Sequence, residues 1–450
     1  MKKTMKVCLV LMALALVSAN LFAGGAAEAK TGAGKVSNIS FMWWGNETRN
    51  AATIKAAESF MKENPDVKVT NMPNPFGGYH DKILVQLANG TAPDLICYST
   101  EWMTEVGFEK EPLLLDLYTV KDYIDLSSVD PAVLSGGIAN GKLLGVPTAI
   151  SGLSFAYYSN AIDAYTKKTG RSAPPTVGQN WTWEEFLQYG KDFHDAMGDD
   201  YYFFEYGGDY SGFDNTFCWM LSEIAGAPYL DERCNVTFSE ADLKKTFDTL
   251  VYMTENGIMP DKDYQVEVLS GVNSRDAILA EGKIGSVLHW TSNIQENSVK
   301  ANAPLVTMAY PVLGRAENDG VFVRPAQFWS IYTKSKDKVA AARLLDYIMN
   351  SPTAAMDLKL ERGVPATAIG RKTLSDAGIL TGSIAEATDY LVASADTGYN
   401  WFIRVPTVLN EINNSYVNVL LGKESSASAA KRVHAAIVKI TAEMRADFKI

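Results

Sequence analysis

The sequence predicts an α/β protein built around parallel β-sheets. Over the first third of the chain, short apolar segments typical of strands alternate with longer segments whose apolar residues share one helical face. Strands and helices in strict alternation imply crossover connections, which are the connections of parallel sheets. With 450 residues, the chain is long enough for two domain-sized cores.

The predicted elements follow in order along the chain. The first strand covers residues 39–43, and a helix follows over residues 51–63 until Asn64-Pro65 ends it. The next elements are a strand at 67–69, a helix at 79–88 and a fully apolar strand at 94–98. Ligands of such sheets bind beyond the carboxyl ends of the strands. This rule selects residues 44–47 and 99–102.

Two tryptophans end the first predicted strand. Trp43 alternates inward with Phe41 and is expected in the core, whereas Trp44 begins a polar segment that continues with Asn46 and Glu47. An exposed indole is costly in a protein unless something flat and partly apolar covers it. A sugar ring has apolar faces and a rim of hydroxyls, so this combination indicates a sugar site.

The chain begins with a predicted secretory signal peptide over residues 1–23, followed by a flexible leader over residues 24–35. The only early cysteine, Cys8, lies inside the apolar run and not at the cleavage point, so we expect no lipoprotein anchor. The expected location is the periplasm. The alternative is a retained, uncleaved anchor.

Net charge and cysteine content bear on which partners and disulfide bonds to expect. Removing Lys2, Lys3 and Lys6 with the signal peptide changes the formal net charge from −11 to −14, which argues against nucleic acid as a partner. The three later cysteines do not make a disulfide framework. Cys97 is expected as a small buried residue, and Cys218 and Cys234 either pair or remain thiols.

Few residues offer enzyme chemistry. No histidines lie one helical turn apart, no cluster suits a metal, and no G-x-S-x-G elbow occurs, so we expect no catalytic residue, metal or cofactor. Ser335 and Lys338 have the S-x-x-K spacing, but they lie in a polar run that is typical of a solvated surface. The segment 136–142 nearly matches a phosphate-binding loop, but Leu143 replaces the required Ser or Thr. Asn140-Gly141 is therefore read as a hairpin turn.

Several short phrases together resemble the extracellular solute-binding proteins of carbohydrate ABC importers. They occur in the order expected of that family, at residues 44–47, 60–65, 87–94, 145–147, 157–160, 182–186, 281–285, 289–294 and 363–365. The resemblance implies two α/β lobes, each a mainly parallel sheet flanked by helices, with sugar bound in the cleft between them. It also implies delivery of the sugar to a membrane permease by a protein that acts as a monomer.

The resemblance further implies lobe boundaries. The first lobe would hold residues 36–149 and 312–364, and the second residues 150–311 and 365–450. The lobes would be joined by crossing segments near residues 149–150, 308–311 and 364–367. Hinges at these segments would let the ligand stabilise a closed form.

Ligand-binding residues follow from matching positions in the family. Asn46, Glu47 and Glu101 match groups that hydrogen-bond sugar hydroxyls, and Trp290 matches a stacking tryptophan. The remaining matches are Trp44, Ser151, Asp214, Asn215, Trp401 and Arg404. Trp102 replaces a basic residue and Asn46 an acidic one of the maltose-type members, so maltose itself is not expected.

Trp102, Trp219 and Trp329 complete the expected ligand-binding set. Some residues of this set have an alternative structural role. Trp219 is equally suited to core or cleft, Trp329 favours the core slightly, and Glu101 is also placed to cap a helix. Trp181 and Trp183 flank Thr182, which forms a predicted capping box with Glu185, so we expect structural packing there.

The sequence leaves alternatives in function and ligand. A secreted glycoside hydrolase or polysaccharide lyase uses a similar cleft of tryptophans and carboxylates. A surface adhesin would show repeats, and none is found. A neutral oligosaccharide is slightly favoured over an acidic one. The carboxylates of an acidic oligosaccharide would form ion pairs with Arg49, Arg324 and Arg404.

Overall fold

The computed structural model describes residues 36–106, 112–206, 210–270, 272, 275–313, 323–394, 402, 405–448 and 450. These residues form two main β-sheets surrounded by helices. The strands are β1 Ser37–Trp44, β2 Val67–Asn74, β3 Leu95–Tyr98, β4 Ile138–Ala139, β5 Lys142–Leu143, β6 Val146–Pro147, β7 Ala149–Tyr158, β8 Tyr202–Glu205, β9 Ile284–Trp290, β10 Leu305–Thr307, β11 Val323–Pro325, β12 Phe328–Ile331 and β13 Val364–Pro365. This α/β architecture is the one that the alternating pattern predicts.

The helices lie between and after these strands. They are α1 Glu47–Glu63, α2 Tyr79–Asn89, α3 Pro131–Ser135, α4 Ser159–Thr169, α5 Trp183–Met197, α6 Tyr210–Ala225, α7 Glu240–Glu255, α8 Lys262–Leu269, α9 Asp276–Ala280, α10 Ile294–Ala301, α11 Lys338–Asn350, α12 Pro352–Leu358, α13 Ala368–Asp376, α14 Ser383–Ser394, α15 Pro406–Leu420 and α16 Ser426–Phe448. Among the described residues, no helix combines the length and apolar character needed to cross a membrane.

The first sheet has the strand order β2-β1-β3-β12-β6. β1 runs parallel to β2 and β3, whereas β12 runs antiparallel to β3 and β6. The ring of Phe41 lies 4.6 Å from that of Trp43 and 5.0 Å from that of Trp329, between ring centroids. Trp43 is fully buried, so the core position predicted from strand alternation is confirmed.

The first helix begins earlier than predicted. It starts at Glu47 and not at residue 51, and it ends at Glu63 before Asn64, as the Asn64-Pro65 signal predicts. Asn46 caps it, because its side-chain oxygen accepts a hydrogen bond from the Arg49 backbone N–H at 2.9 Å. The apolar pattern missed this first turn because its residues are polar.

The second sheet has the strand order β10-β7-β9-β8. β8 is parallel to β9, and β7 is antiparallel to both β9 and β10. We call each of the two main sheets with the helices packed on it a lobe. Both sheets are mixed, since β12 in the first and β7 in the second run against their neighbours. The expected parallel pairing is limited to β1 with β2 and β3 and to β8 with β9, because β7 and β12 enter their sheets from the segments that connect the lobes.

Strand β7 connects the two lobes. A single residue, Thr148, separates it from β6 of the first sheet, and the Thr148 N–H donates to the Gln327 carbonyl at 2.8 Å. The first residues of β7 pair with β11 and β13, and its later residues pair with β9 and β10. Three chain segments therefore run side by side where the lobes meet.

Segments beside these strands also associate with one lobe or the other. Val312 pairs with Thr182 at the start of α5, next to the second sheet. Helix α13 packs on α12, next to the first sheet. Ser383, at the start of α14, donates a hydrogen bond to the Leu305 carbonyl in β10 of the second sheet.

Three local predictions are confirmed. Thr182 and Glu185 form the capping box that starts α5. Asn140 and Gly141 have positive φ values of 49° and 72° and connect β4 to β5 as a hairpin turn. Trp181 and Trp183 are buried and pack on Phe186, at centroid distances of 5.7 and 5.6 Å.

The cysteines are buried thiols. Cys97 is fully buried, as expected of a small core residue. Cys218 and Cys234 are also buried, and no disulfide joins them. Burial raises the pKa of Cys97 to about 12 and that of Cys234 to about 11, so both are protonated at neutral pH.

Candidate functional site

The carboxyl ends of β1, β2 and β3 meet at one edge of the first sheet. Trp44 at the end of β1 is in register with Asn74 at the end of β2, and Phe41 is in register with Leu95 in β3. Because the three strands are parallel, the segments that follow them share this edge. These segments are residues 45–47, 75–78 and 99–102, and we call the surface that they form the aromatic edge.

Aromatic rings dominate the aromatic edge. The Trp44 ring lies 4.9 Å from that of Tyr79 and 5.1 Å from that of Trp102, between centroids. Phe76 packs against both tryptophans, at 5.8 Å from Trp44 and 6.2 Å from Trp102. The structure therefore brings the predicted Trp44 and Trp102 together.

The exposed ring of the aromatic edge is Phe76 and not the predicted Trp44. Trp44 is only 6% exposed and Trp102 9% exposed, whereas Phe76 is 64% exposed. The expected exposed indole is absent because neighbouring rings cover it. Sequence reasoning missed Phe76 because the predicted second strand stopped at residue 69, and the observed β2 continues to Asn74.

Polar groups of the first helical turn border this edge. Asn46 uses its side-chain oxygen as the helix cap, which leaves its amide group as the free hydrogen-bonding end. Glu47, the first residue of α1, is exposed. The Thr48 hydroxyl donates to the Glu361 carboxylate at 2.9 Å, and the Arg49 Nε donates to the Glu361 carbonyl at 2.7 Å. These bonds hold the start of α1 against the segment that leads into β13.

Arg362 lies in that segment, directly after Glu361, and its side chain is buried. Its guanidinium donates to the Thr53 hydroxyl at 2.9 Å and to the Gln327 side-chain oxygen at 3.0 Å, and it lies 4.5 Å from the Trp329 ring centroid. Burial lowers the pKa of Arg362 to about 10, so it remains charged at neutral pH. A buried cation held by neutral acceptors and an aromatic face depends on both for its stability.

Two of the predicted ligand-binding residues, Trp290 and Ser151, lie on strands of the second sheet. Trp290 ends β9, is 9% exposed and pairs in register with Leu153 of β7. Ser151 lies in the first part of β7, in register with Arg324, and is 2% exposed. Its hydroxyl has no hydrogen-bond partner within the part of the chain that the structure describes. Buried hydroxyls normally have a partner, which makes this group available to a bound molecule or water.

The other predicted ligand-binding residues lie deeper or outside the described part. Asp214 and Asn215, on α6, are each 6% exposed. Trp219 is 1% exposed, with its ring 4.8 Å from Phe155 and 5.0 Å from Trp183. Trp329 is 1% exposed, and Arg362 covers one face of its ring. Trp401, Arg404 and the side chains of Glu101 and Arg324 lie outside the described residues.

A buried polar cluster supports the strand that ends at Trp290. The Asn297 side chain bonds His289 Nδ1 at 2.7 Å, and Arg275 bonds both Glu205 at 2.9 Å and Asn297 at 2.6 Å. Burial, with a smaller contribution from the nearby Arg275 charge, lowers the pKa of His289 to about 3. His289 is therefore neutral at neutral pH, and its Nδ1 accepts the bond from Asn297.

Two cavities lie away from the aromatic edge. One of about 250 Å³ is lined by residues that include Trp183, Met220 and Lys245 of the second lobe. One of about 30 Å³ lies beside Arg362 and Trp329. Among the described residues, no group of three or more His, Cys, Asp or Glu side chains is arranged to hold a metal ion.

Several known proteins are similar to this chain in sequence or in structure. A curated relative, an uncharacterized lipoprotein of Streptomyces antibioticus, is 26% identical over 146 residues, which cover 31% of this chain and 30% of that protein. Two solved structures align over 91% of this chain. One is a de novo designed cysteine esterase, 26% identical over its whole length with a TM-score of 0.80. The other is a periplasmic oligogalacturonide-binding protein of Yersinia enterocolitica with saturated digalacturonic acid, 24% identical over 99% of its length with a TM-score of 0.71.

The family model for bacterial extracellular solute-binding proteins matches residues 44–355. The match begins at Trp44, includes strands of both sheets and ends within α12. Since it covers more than half of the sequence, the chain belongs to the bacterial extracellular solute-binding protein family.

Proposed function

We propose that this protein captures a carbohydrate, in particular an oligosaccharide, between its two lobes and delivers it to the permease of an ABC transporter. The observation that carries the proposal is the aromatic edge, where rings lie beside the hydrogen-bonding groups of Asn46 and Glu47. Aromatic faces cover the C–H groups of a pyranose, and amide and carboxylate groups pair its hydroxyls. The Yersinia relative, which binds digalacturonic acid, supports the same ligand class.

The proposed contacts come from both lobes. In the first lobe they are Asn46, Glu47 and Glu101, beside the largely covered rings of Trp44 and Trp102, and in the second they are Ser151, Asp214, Asn215, Trp290, Trp401 and Arg404. Trp219 and Trp329 are better explained as packing residues, because the structure leaves each only 1% exposed. The orphan hydroxyl of Ser151 is the second-lobe feature that most favours a polar ligand.

The proposed hinge consists of the three segments around residues 148–152, 323–327 and 363–367. These segments are hydrogen-bonded to one another through β7, β11 and β13. Small changes in their dihedral angles would open and close the lobes around a ligand. Export through the signal peptide at residues 1–23, a periplasmic location and a monomeric state belong to the same proposal.

A binding protein is favoured over an enzyme. Similarity to the designed cysteine esterase suggests a thiol nucleophile as the first alternative, but Cys97, Cys218 and Cys234 are buried. The raised pKa values of Cys97 and Cys234 also disfavour a reactive thiolate. A glycosidase would need two carboxyl groups about 5 to 9.5 Å apart across the scissile bond. Analysis of the sugar after incubation distinguishes the two, because only an enzyme shortens it.

Thermal unfolding with a ligand panel tests the proposal. The panel contains neutral oligosaccharides, galacturonides, a peptide, a polyamine and divalent metals. A sugar present at about a thousand times its dissociation constant should stabilise the protein by roughly 4 kcal/mol. Stabilisation by the peptide, polyamine or metal and by no sugar would refute carbohydrate binding. The acidic and neutral members of the panel decide which oligosaccharide class binds.

A further inference from the structure

Phe76 is a large exposed ring at the place where a ligand would bind. It is 64% exposed, although its ring lies within 6.2 Å of Trp102 and 5.8 Å of Trp44. Its plane is inclined by 21° to that of Trp102, so the two rings are nearly parallel. Trp44 and Trp102 are thus covered, and Phe76 presents the open aromatic surface of the aromatic edge.

The loop that holds Phe76 gives the ring room to adjust. Two glycines follow it, and neither has another group within 4 Å of where a Cβ would be. Gly78 has φ of +74°, a conformation that glycine adopts without strain and that starts helix α2. Phe76 therefore has fixed rings beneath it and open space around its backbone.

Hydrogen-bonding groups lie on the two elements that flank Phe76 in the sequence, at the end of β2 and in α2. Lys82 donates to the Asn74 side chain at 2.6 Å, and His80 pairs with Glu105 at 2.7 Å. Helix α2 also starts after Gly78, which has no side chain to cap it, and the Tyr79 N–H donates to the Phe76 carbonyl at 3.1 Å. An apolar ring bordered by donors and acceptors fits a molecule with an apolar face and a polar rim.

We propose that Phe76 is the platform on which one pyranose ring of the ligand stacks, and that Trp44 and Trp102 hold the platform in place. This inference rests on the proposed function and adds a binding residue to it. The solvent-facing side of Phe76 takes the C–H face of the sugar, and the groups around it take hydroxyls.

Calorimetric titration with maltotriose and with saturated digalacturonate tests the inference. With the sugar that binds the unchanged protein, Phe76→Ala should weaken affinity roughly tenfold, and Phe76→Trp should stay within about threefold. The control is Val85→Ala, which removes a 58% exposed apolar side chain from α2 and should leave affinity unchanged. Trp102→Leu should weaken binding when Phe76 is present. In the Phe76→Ala variant the same substitution should have little further effect, since Trp102 acts through the Phe76 ring.

The outcomes separate the inference from the proposed function. Equal affinity of Phe76→Ala and the unchanged protein would overturn the platform and leave carbohydrate binding intact. Binding of neither sugar to the unchanged protein would overturn the platform, and failure of the whole panel would overturn the proposed function as well. Because Phe76 is largely exposed, its variants should unfold at the same temperature as the unchanged protein without sugar. A lower temperature would point to a structural role.

Discussion

Asn46 shows how one residue serves both the fold and the proposed site. Its side-chain oxygen caps α1, so only its amide group remains for a ligand. The residue type therefore satisfies two requirements at once, a cap acceptor toward the helix and a donor toward the aromatic edge. Sequence comparison alone finds the position, and the hydrogen bond from Arg49 shows that its side-chain oxygen is engaged by the helix.

Replacing the cap should lower stability in a predictable way. Asn46→Ala should reduce the free energy of unfolding by about 1 kcal/mol, because the Arg49 N–H loses its acceptor. Asn46→Asp keeps an acceptor and should be as stable as the unchanged protein. Urea denaturation measures both. Equal stability of the alanine and aspartate variants would contradict the capping role.

His289 should make stability depend on pH in the acidic range. Its pKa falls from 6.5 to about 3 on folding, so between these values the unfolded chain binds a proton that the folded protein does not. Stability from this residue is present above about pH 6.5 and is lost as the pH falls toward 3. His289→Gln should flatten the decline in unfolding free energy by up to about 1.4 kcal/mol per pH unit. Unchanged steepness would show that another group causes the decline.

At the scale of elements, sequence patterns predicted the beginning of the chain well. The first three strands and two helices appear where alternation and the Asn64-Pro65 signal place them, because burial of one face sets their period. The sequence predicted polar ends of elements less accurately. Examples are the first turn of α1 and the last residues of β2. Phe76 was missed for this reason, since its location depends on the true end of β2.

The buried ion pair in the second lobe should be sensitive to loss of one partner. Glu205 and Arg275 lie 2.9 Å apart, and their side chains are 2% and 9% exposed. Glu205→Gln leaves the Arg275 charge buried without its counter-charge, so unfolding free energy should fall by about 3 to 5 kcal/mol. The exposed pair of Lys372 and Asp376 provides a control, since Asp376→Asn should cost less than about 1 kcal/mol. Similar losses in both variants, measured by urea denaturation, would contradict the account.

Close backbone approach requires a glycine at residue 137. A Cβ on Gly137 would lie 2.0 Å from the Gly145 carbonyl oxygen, which belongs to the backbone and cannot move aside easily. Gly137→Ala should therefore destabilise the protein by at least about 2 kcal/mol. Gly77→Ala, where nothing lies within 4 Å, is the matched control and should have little effect on the melting temperature. Equal melting temperatures of the two variants would contradict this packing.

At the scale of the whole molecule, the resemblance predicted the family and the α/β fold, and the pattern of strands and helices agrees with both. The boundaries and the ligand contacts are harder to predict, because they depend on residues that are distant in sequence. Trp44 and Trp290 lie at the ends of β1 and β9, in different sheets, and only tertiary structure relates them. The burial of Trp219 and Trp329 likewise results from neighbours far along the chain.

Direct titration of the protein with oligosaccharides tests the central claim that it binds a carbohydrate without transforming it. We expect a saturable heat with one ligand per chain for at least one neutral or acidic oligosaccharide. Mass spectrometry of the mixture should then recover that oligosaccharide at its original length. Absence of heat with every sugar would contradict carbohydrate binding, and recovery of shortened products would show an enzyme instead.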